Sequence, residues 1–88
     1  MKRSRHTIIS QILELCQDGA LKTRIVYQAN LNFKTVIPYI DLLIKNELLE
    51  TSPNTIVIYK TTAKGARLLR EFKRIRSLLP EIYDIAQR

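Results

Sequence analysis

The sequence predicts a mainly α fold of the α+β class, in which three helices precede a β-hairpin and a longer helix closes the chain. Three observations predict it. Apolar residues recur at helical spacing in four segments, β-branched residues concentrate in one stretch after a turn pair, and capping residues stand where the helices would begin. With 88 residues the chain holds one domain, and its 45% hydrophobic content supports one small core without a deep catalytic cavity beside it.

In the first helix, about residues 5–17, Ile8, Ile9, Ile12, Leu13 and Cys16 fall at helical spacing, with Ser4 as cap and Asp18-Gly19 as stop. Thr23 offers a cap to a short second helix, about residues 23–29, which carries Ile25, Val26 and Ala29. Asn30-Leu31 then forms a brief turn, and Asn32 is the next cap. The third helix, residues 33–46, puts Phe33, Val36, Ile37, Ile40, Leu43 and Ile44 on a core arc, while Lys34, Pro38, Asp41 and Lys45 line the opposite side. Pro38 is tolerated in a first turn if that helix begins at Thr35. Residues 48–52 and 55–59 read as two short strands joined by a tight turn at Pro53-Asn54.

Thr61 or Thr62 caps the last helix, which runs at least to Leu78. Its apolar residues Leu68, Phe72, Ile75, Leu79, Ile82 and Ala86 alternate spacings of four and three, as a coiled-coil seam requires. Pro80 interrupts the seam, so a kink near Leu78 or a fresh short helix from Pro80 is expected. The alternative to such a seam is packing on the chain's own core, which suits Leu68 and Phe72 better than the residues beyond Ile75.

The charge balance narrows function. Fifteen Lys or Arg against eight Asp or Glu give a net charge of +7, which points to a polyanionic partner. A single Cys excludes a disulfide framework and implies a reduced, intracellular setting. His6 and Cys16 are too few for a metal, so neither metal nor cofactor is expected. Gly19 and Gly65 make no phosphate loop and read as helix-end or turn glycines. No apolar run approaches the ~18 residues of a membrane span, and the basic start leads into an amphipathic segment, so no membrane partner and a cytoplasmic location are expected. The acids Asp41, Glu47, Glu50, Glu81 and Asp84 read as surface carboxylates, and no enzymatic activity is expected. Tyr27, Tyr39, Tyr59 and Tyr83 fall in different elements, so no stacking platform is indicated.

Helix, short helix, turn, helix, hairpin and helix is the order of a winged helix-turn-helix, here residues 1–62, followed by a C-terminal dimerisation helix, residues 63–88. The stretch from Lys22 to Gly65 resembles the small archaeal winged-helix regulators. It carries their KTRIxYxANLxxxxxxxYxxxL block from Lys22 to Leu43 and their YKTTxKG block from Tyr59 to Gly65. The resemblance extends from Ser4 to Phe72 and implies binding to double-stranded DNA and homodimerisation through the C-terminal helix. Two departures stand out: Asn46-Glu47 replaces a common Lys-Gly pair, and Ile37-Pro38 replaces polar or basic residues.

In such a fold the first turns of the third helix enter the major groove, making Asn32, Lys34 and Thr35 the base-reading candidates. Asn32 reads equally as a cap. Pro38 offers only an apolar contact, as to a thymine methyl, and Asp41 would repel phosphate. Lys22, Thr23 and Arg24 at the second helix start, with Lys60, suit phosphate contacts. The wing tip, Ser52, Asn54 and Thr55, is polar and uncharged, so its contribution should be modest. Lys2, Arg3 and Arg5 form a basic arm that either orders on DNA or is a mobile terminus. From Lys60 to Arg76 seven cations face Glu71 alone. A dimer helix ranks above a phosphate flank or a membrane-surface helix, because the seam spacing suits a helix partner and Trp is absent. A winged-helix protein-interaction module of a larger complex is the competing reading. The apolar Ile37-Pro38 favours it, whereas the net charge favours DNA.

Overall fold

The computed structural model describes residues 3–81. Its elements are α1 (Arg5–Leu15), α2 (Lys22–Ala29), α3 (Phe33–Lys45), β1 (Leu49–Thr51), β2 (Tyr59–Thr61) and α4 (Ala63–Leu78), the predicted order. Three helices start where a side chain can accept from an orphan N–H. Ser4 Oγ accepts from Thr7 N at 3.1 Å, Asn32 Oδ1 from Thr35 N at 2.8 Å, and Thr62 Oγ1 from Gly65 N at 3.0 Å.

The second helix departs from expectation. It begins one residue before Thr23, with Leu21 at the N-cap position and no side-chain cap. The cause lies in the preceding residue: Ala20 and Tyr59 exchange backbone hydrogen bonds of 2.9 and 2.8 Å. Ala20 thereby serves as a one-residue third strand beside β2 and fixes the chain immediately ahead of α2.

Helix α1 packs against α2, α3, α4 and β2, and so sits at the centre of the domain. The core joins its Ile8, Ile12 and Leu13 to Ile25 of α2, to Val36, Ile40 and Leu43 of α3, and to Leu49, Tyr59 and Leu69. Phe33 does not join them. At the first position of α3 it is 46% exposed, because the buried arc begins one turn later at Val36. Ile44, at the edge of that arc, is also exposed.

The hairpin register pairs Leu49 with Thr61, Glu50 with Lys60 and Thr51 with Tyr59. The second strand therefore lies later than residues 55–59, and residues 52–58 form a longer loop in place of a tight Pro53-Asn54 turn. Burial decides the register, since it places Leu49 and Tyr59 in the core and lets Tyr59 bond Ala20. Ser52 ties the loop together: its N–H donates to Ile58 O, its hydroxyl donates to Ile56 O, and Ile58 N donates to its Oγ.

Two departures from the resembling family have local explanations or consequences. Glu47, at the position where a glycine is common, has φ 60°, the left-handed conformation glycine adopts most readily. Pro38 lies inside α3 rather than in its first turn, because the helix starts at Phe33, and it supplies no N–H to the Lys34 carbonyl. Gly65 is also not a helix-end glycine. It sits buried in the first turn of α4, where a Cβ would collide with the Leu48 carbonyl. Gly19, with φ 93°, is the turn glycine expected.

Candidate nucleic-acid interface

The helix-turn-helix brings two helix starts to the surface, and they are built differently. At the start of α3 the Asn32 side chain satisfies Thr35 N, while Lys34 is exposed and Thr35 half-buried. At the start of α2 no side chain caps the first N–H groups, and Thr23 and Arg24 are exposed. Neither helix has an acid in its first turn, so the positive end of each dipole is unopposed locally. Lys22 is half-buried, with its ammonium 6.0 Å from the centre of the Tyr59 ring. Lys60 is exposed on β2, opposite Glu50 in the register. Pro38 and Asp41 are exposed further along α3.

The turn between the helices is held from the N-terminal side. Asn30 adopts the left-handed conformation, φ 55° and ψ 46°. Arg3 donates to its carbonyl at 3.0 Å and to Gln11 Oε1 at 2.9 Å. Arg3 of the basic arm is thus a brace of the helix-turn-helix, Arg5 is exposed on α1, and Lys2 lies outside the described residues. The spacing of Arg3 from Asn30 gave no sign of this contact.

The wing is less polar than its tip suggests. Asn54 and Thr55 are exposed, but Ser52 is engaged in holding the loop, and Ile56, Val57 and Ile58 are exposed beside them. Sequence reading also missed the exposed aromatics at the helix-turn-helix. Tyr27 is 84% and Phe33 46% exposed, and both line one open concavity with Arg24, Asn30 and Leu31.

Along α4, Gly65 and Leu69 are the buried positions, and Leu69 was not part of the predicted seam. Leu68 packs beside the core, and the Phe72 ring meets His6 edge-on at 5.7 Å. Ile75 and Leu79 are exposed, as is Leu78 between them. The helix ends at Leu78 before Pro80, while Ile82 and Ala86 lie outside the described residues. Glu14 and Lys73 pair at 3.2 Å across α1 and α4, and Glu71 with Arg74 at 3.0 Å along α4. Cys16 is buried in the core, and burial pushes its thiol up to about 11 although Arg24 pulls the other way. No described helix is long and apolar enough to cross a membrane.

Residues 2–79 match the winged helix-turn-helix family. The chain belongs to that family. Two uncharacterized proteins of Methanocaldococcus jannaschii are similar to this winged-helix chain. MJ0290 is 35% identical over 80 residues, 90% of this chain but 36% of its own length. MJ0287 is 33% identical over 85 residues, 96% of this chain and 77% of its own length. Among solved structures, that of Sso10a-2, a DNA-binding protein from Sulfolobus solfataricus, matches with a TM-score of 0.82 at 26% identity. The match covers 94% of this winged-helix chain and 88% of that one.

Proposed function

We propose that the chain binds double-stranded DNA as a homodimer, acting as a transcriptional regulator or an architectural protein of the chromosome rather than as an enzyme. The carrying observation is the cationic, acid-free pair of helix starts at Lys22–Ala29 and Phe33–Lys45. The uncapped start of α2 offers backbone N–H groups to a phosphate, with Thr23 and Arg24 beside it. Lys34 and Thr35 then stand over base edges, and Lys22 and Lys60 flank the backbone. The net charge of +7 and the likeness to a DNA-binding protein support the same reading. A cytoplasmic location goes with it.

The dimer part of the proposal rests on Ile75, in the last turn of α4, and Leu79, directly after it, both of which the single chain leaves exposed. A partner helix packed there would cover them and set two reading helices at a fixed separation. Ile75→Glu should convert a dimer to a monomer in sedimentation at micromolar protein and weaken DNA binding through lost avidity. A monomeric wild type refutes the seam.

A protein-interaction module is the second reading. It draws on the cleft between α1 and α3 lined by Arg5, Ile9, Pro38, Tyr39 and Leu42. Titration of duplex DNA across a salt series separates the two. Steeply salt-dependent binding is the result expected for DNA, and absent or salt-insensitive binding supports the module.

A further inference from the structure

The α2–α3 turn gathers two aromatic side chains that stand six positions apart in the sequence. Tyr27 and Phe33 line the same concavity, and both are exposed. Exposed aliphatic groups also occur at Leu21, along α3, on the wing and toward the end of α4, but Tyr27, late in α2, and Phe33, at the start of α3, are the exposed aromatics of the helix-turn-helix. Arg24 lines the concavity with them, and Lys34 follows Phe33. A second copy of this chain would bring like charges together here, so charge favours a polyanion as the occupant.

Phe33 is the first residue of α3, and in a helix-turn-helix the first residues of the second helix face base edges in the major groove. A base pair offers one apolar group there, the C5 methyl of thymine. A methyl on C5 of cytosine occupies the equivalent ring position and presents the same surface. An aromatic ring also gives this contact at low entropic cost, since it has only two side-chain torsions.

We propose that Phe33, backed by Tyr27, reads the C5 methyl group of a pyrimidine, so that the protein favours thymine over uracil and 5-methylcytosine over cytosine. The inference rests on the DNA-binding reading above. It moves the methyl contact from Pro38, further along α3, to Phe33 and Tyr27, which lie outside the Asn32, Lys34, Thr35 and Pro38 set.

Fluorescence anisotropy with the full chain tests it on matched alternating duplexes, dA·dT against dA·dU, and dG·dC with and without the cytosine methyl. The wild type should lose roughly fourfold in affinity per methyl group contacted when thymine becomes uracil, the affinity ratio that corresponds to burying one methylene. It should gain by a similar factor when cytosine is methylated. Phe33→Ala should bind the methylated and unmethylated duplexes alike with the salt slope of the wild type, and Phe33→Leu should keep part of the preference. Circular dichroism checks that each variant is folded. Equal wild-type affinity for thymine and uracil duplexes overturns the inference and leaves DNA binding standing. A methyl preference that survives Phe33→Ala overturns the assignment to this residue. No salt-dependent binding to any duplex overturns the DNA reading and this inference with it.

Discussion

The starts of α2 and α3 belong to the same motif and solve the same problem in opposite ways. Each leaves orphan N–H groups that need acceptors. In α3 the chain provides one itself, Asn32 Oδ1 at 2.8 Å from Thr35 N. In α2 the N-cap position holds Leu21, whose side chain accepts nothing. A capped start needs no ligand, which leaves its side chains to report what they touch. An uncapped start flanked by Thr23 and Arg24 is instead suited to a phosphate oxygen. The difference divides the proposed labour, with α2 gripping the backbone and α3 reading bases.

The comparison can be broken most sharply at Leu21. Leu21→Asp would cap α2 and should raise stability by about 1 kcal/mol in thermal unfolding. The same carboxylate should lower DNA affinity roughly tenfold or more, since a like charge about 4 Å from a phosphate costs ~1–4 kcal/mol near a protein surface. Opposite signs in the two assays are the signature expected. At α3 the effect should fall on preference: Lys34→Ala with Thr35→Ala should shrink discrimination between duplex sequences by about 1–3 kcal/mol in competition binding, with unfolding unchanged. Asn32→Ala should cost about 1 kcal/mol of stability, read by denaturant unfolding, because the cap is lost. The smallest effect belongs to a control outside both starts. Glu47→Gly relieves a left-handed backbone and should raise stability by up to about 1 kcal/mol while leaving DNA affinity unchanged.

The residues that were legible in the sequence are those whose role is set within a turn or two. Ser4, Asn32 and Thr62 cap as expected, and Val36, Ile40 and Leu43 are buried at their predicted spacing. The misreadings share a tertiary cause. The β-branched stretch ending at Ile58 looks like a strand, yet the strand starts at Tyr59 because Ala20, far earlier in the chain, pairs with that residue. The same bridge leaves Leu21 rather than Thr23 at the start of α2. Leu69 is buried where the seam pattern pointed to Leu68, because the close approach of Gly65 to Leu48 sets which side of α4 faces inward. In the candidate site the cations were visible from composition alone. The shared concavity of Tyr27 and Phe33 and the brace from Arg3 to Asn30 depend on the turn geometry and carry no local signal.

Whether α2 holds phosphate while α3 reads sequence is decided by the salt dependence of Arg24→Ala on two unrelated duplexes. A uniform loss of affinity on both is expected, with the slope of log affinity against log salt reduced by about 0.9, the value for one phosphate contact. An unchanged slope, or a loss confined to one duplex, would contradict that division of roles.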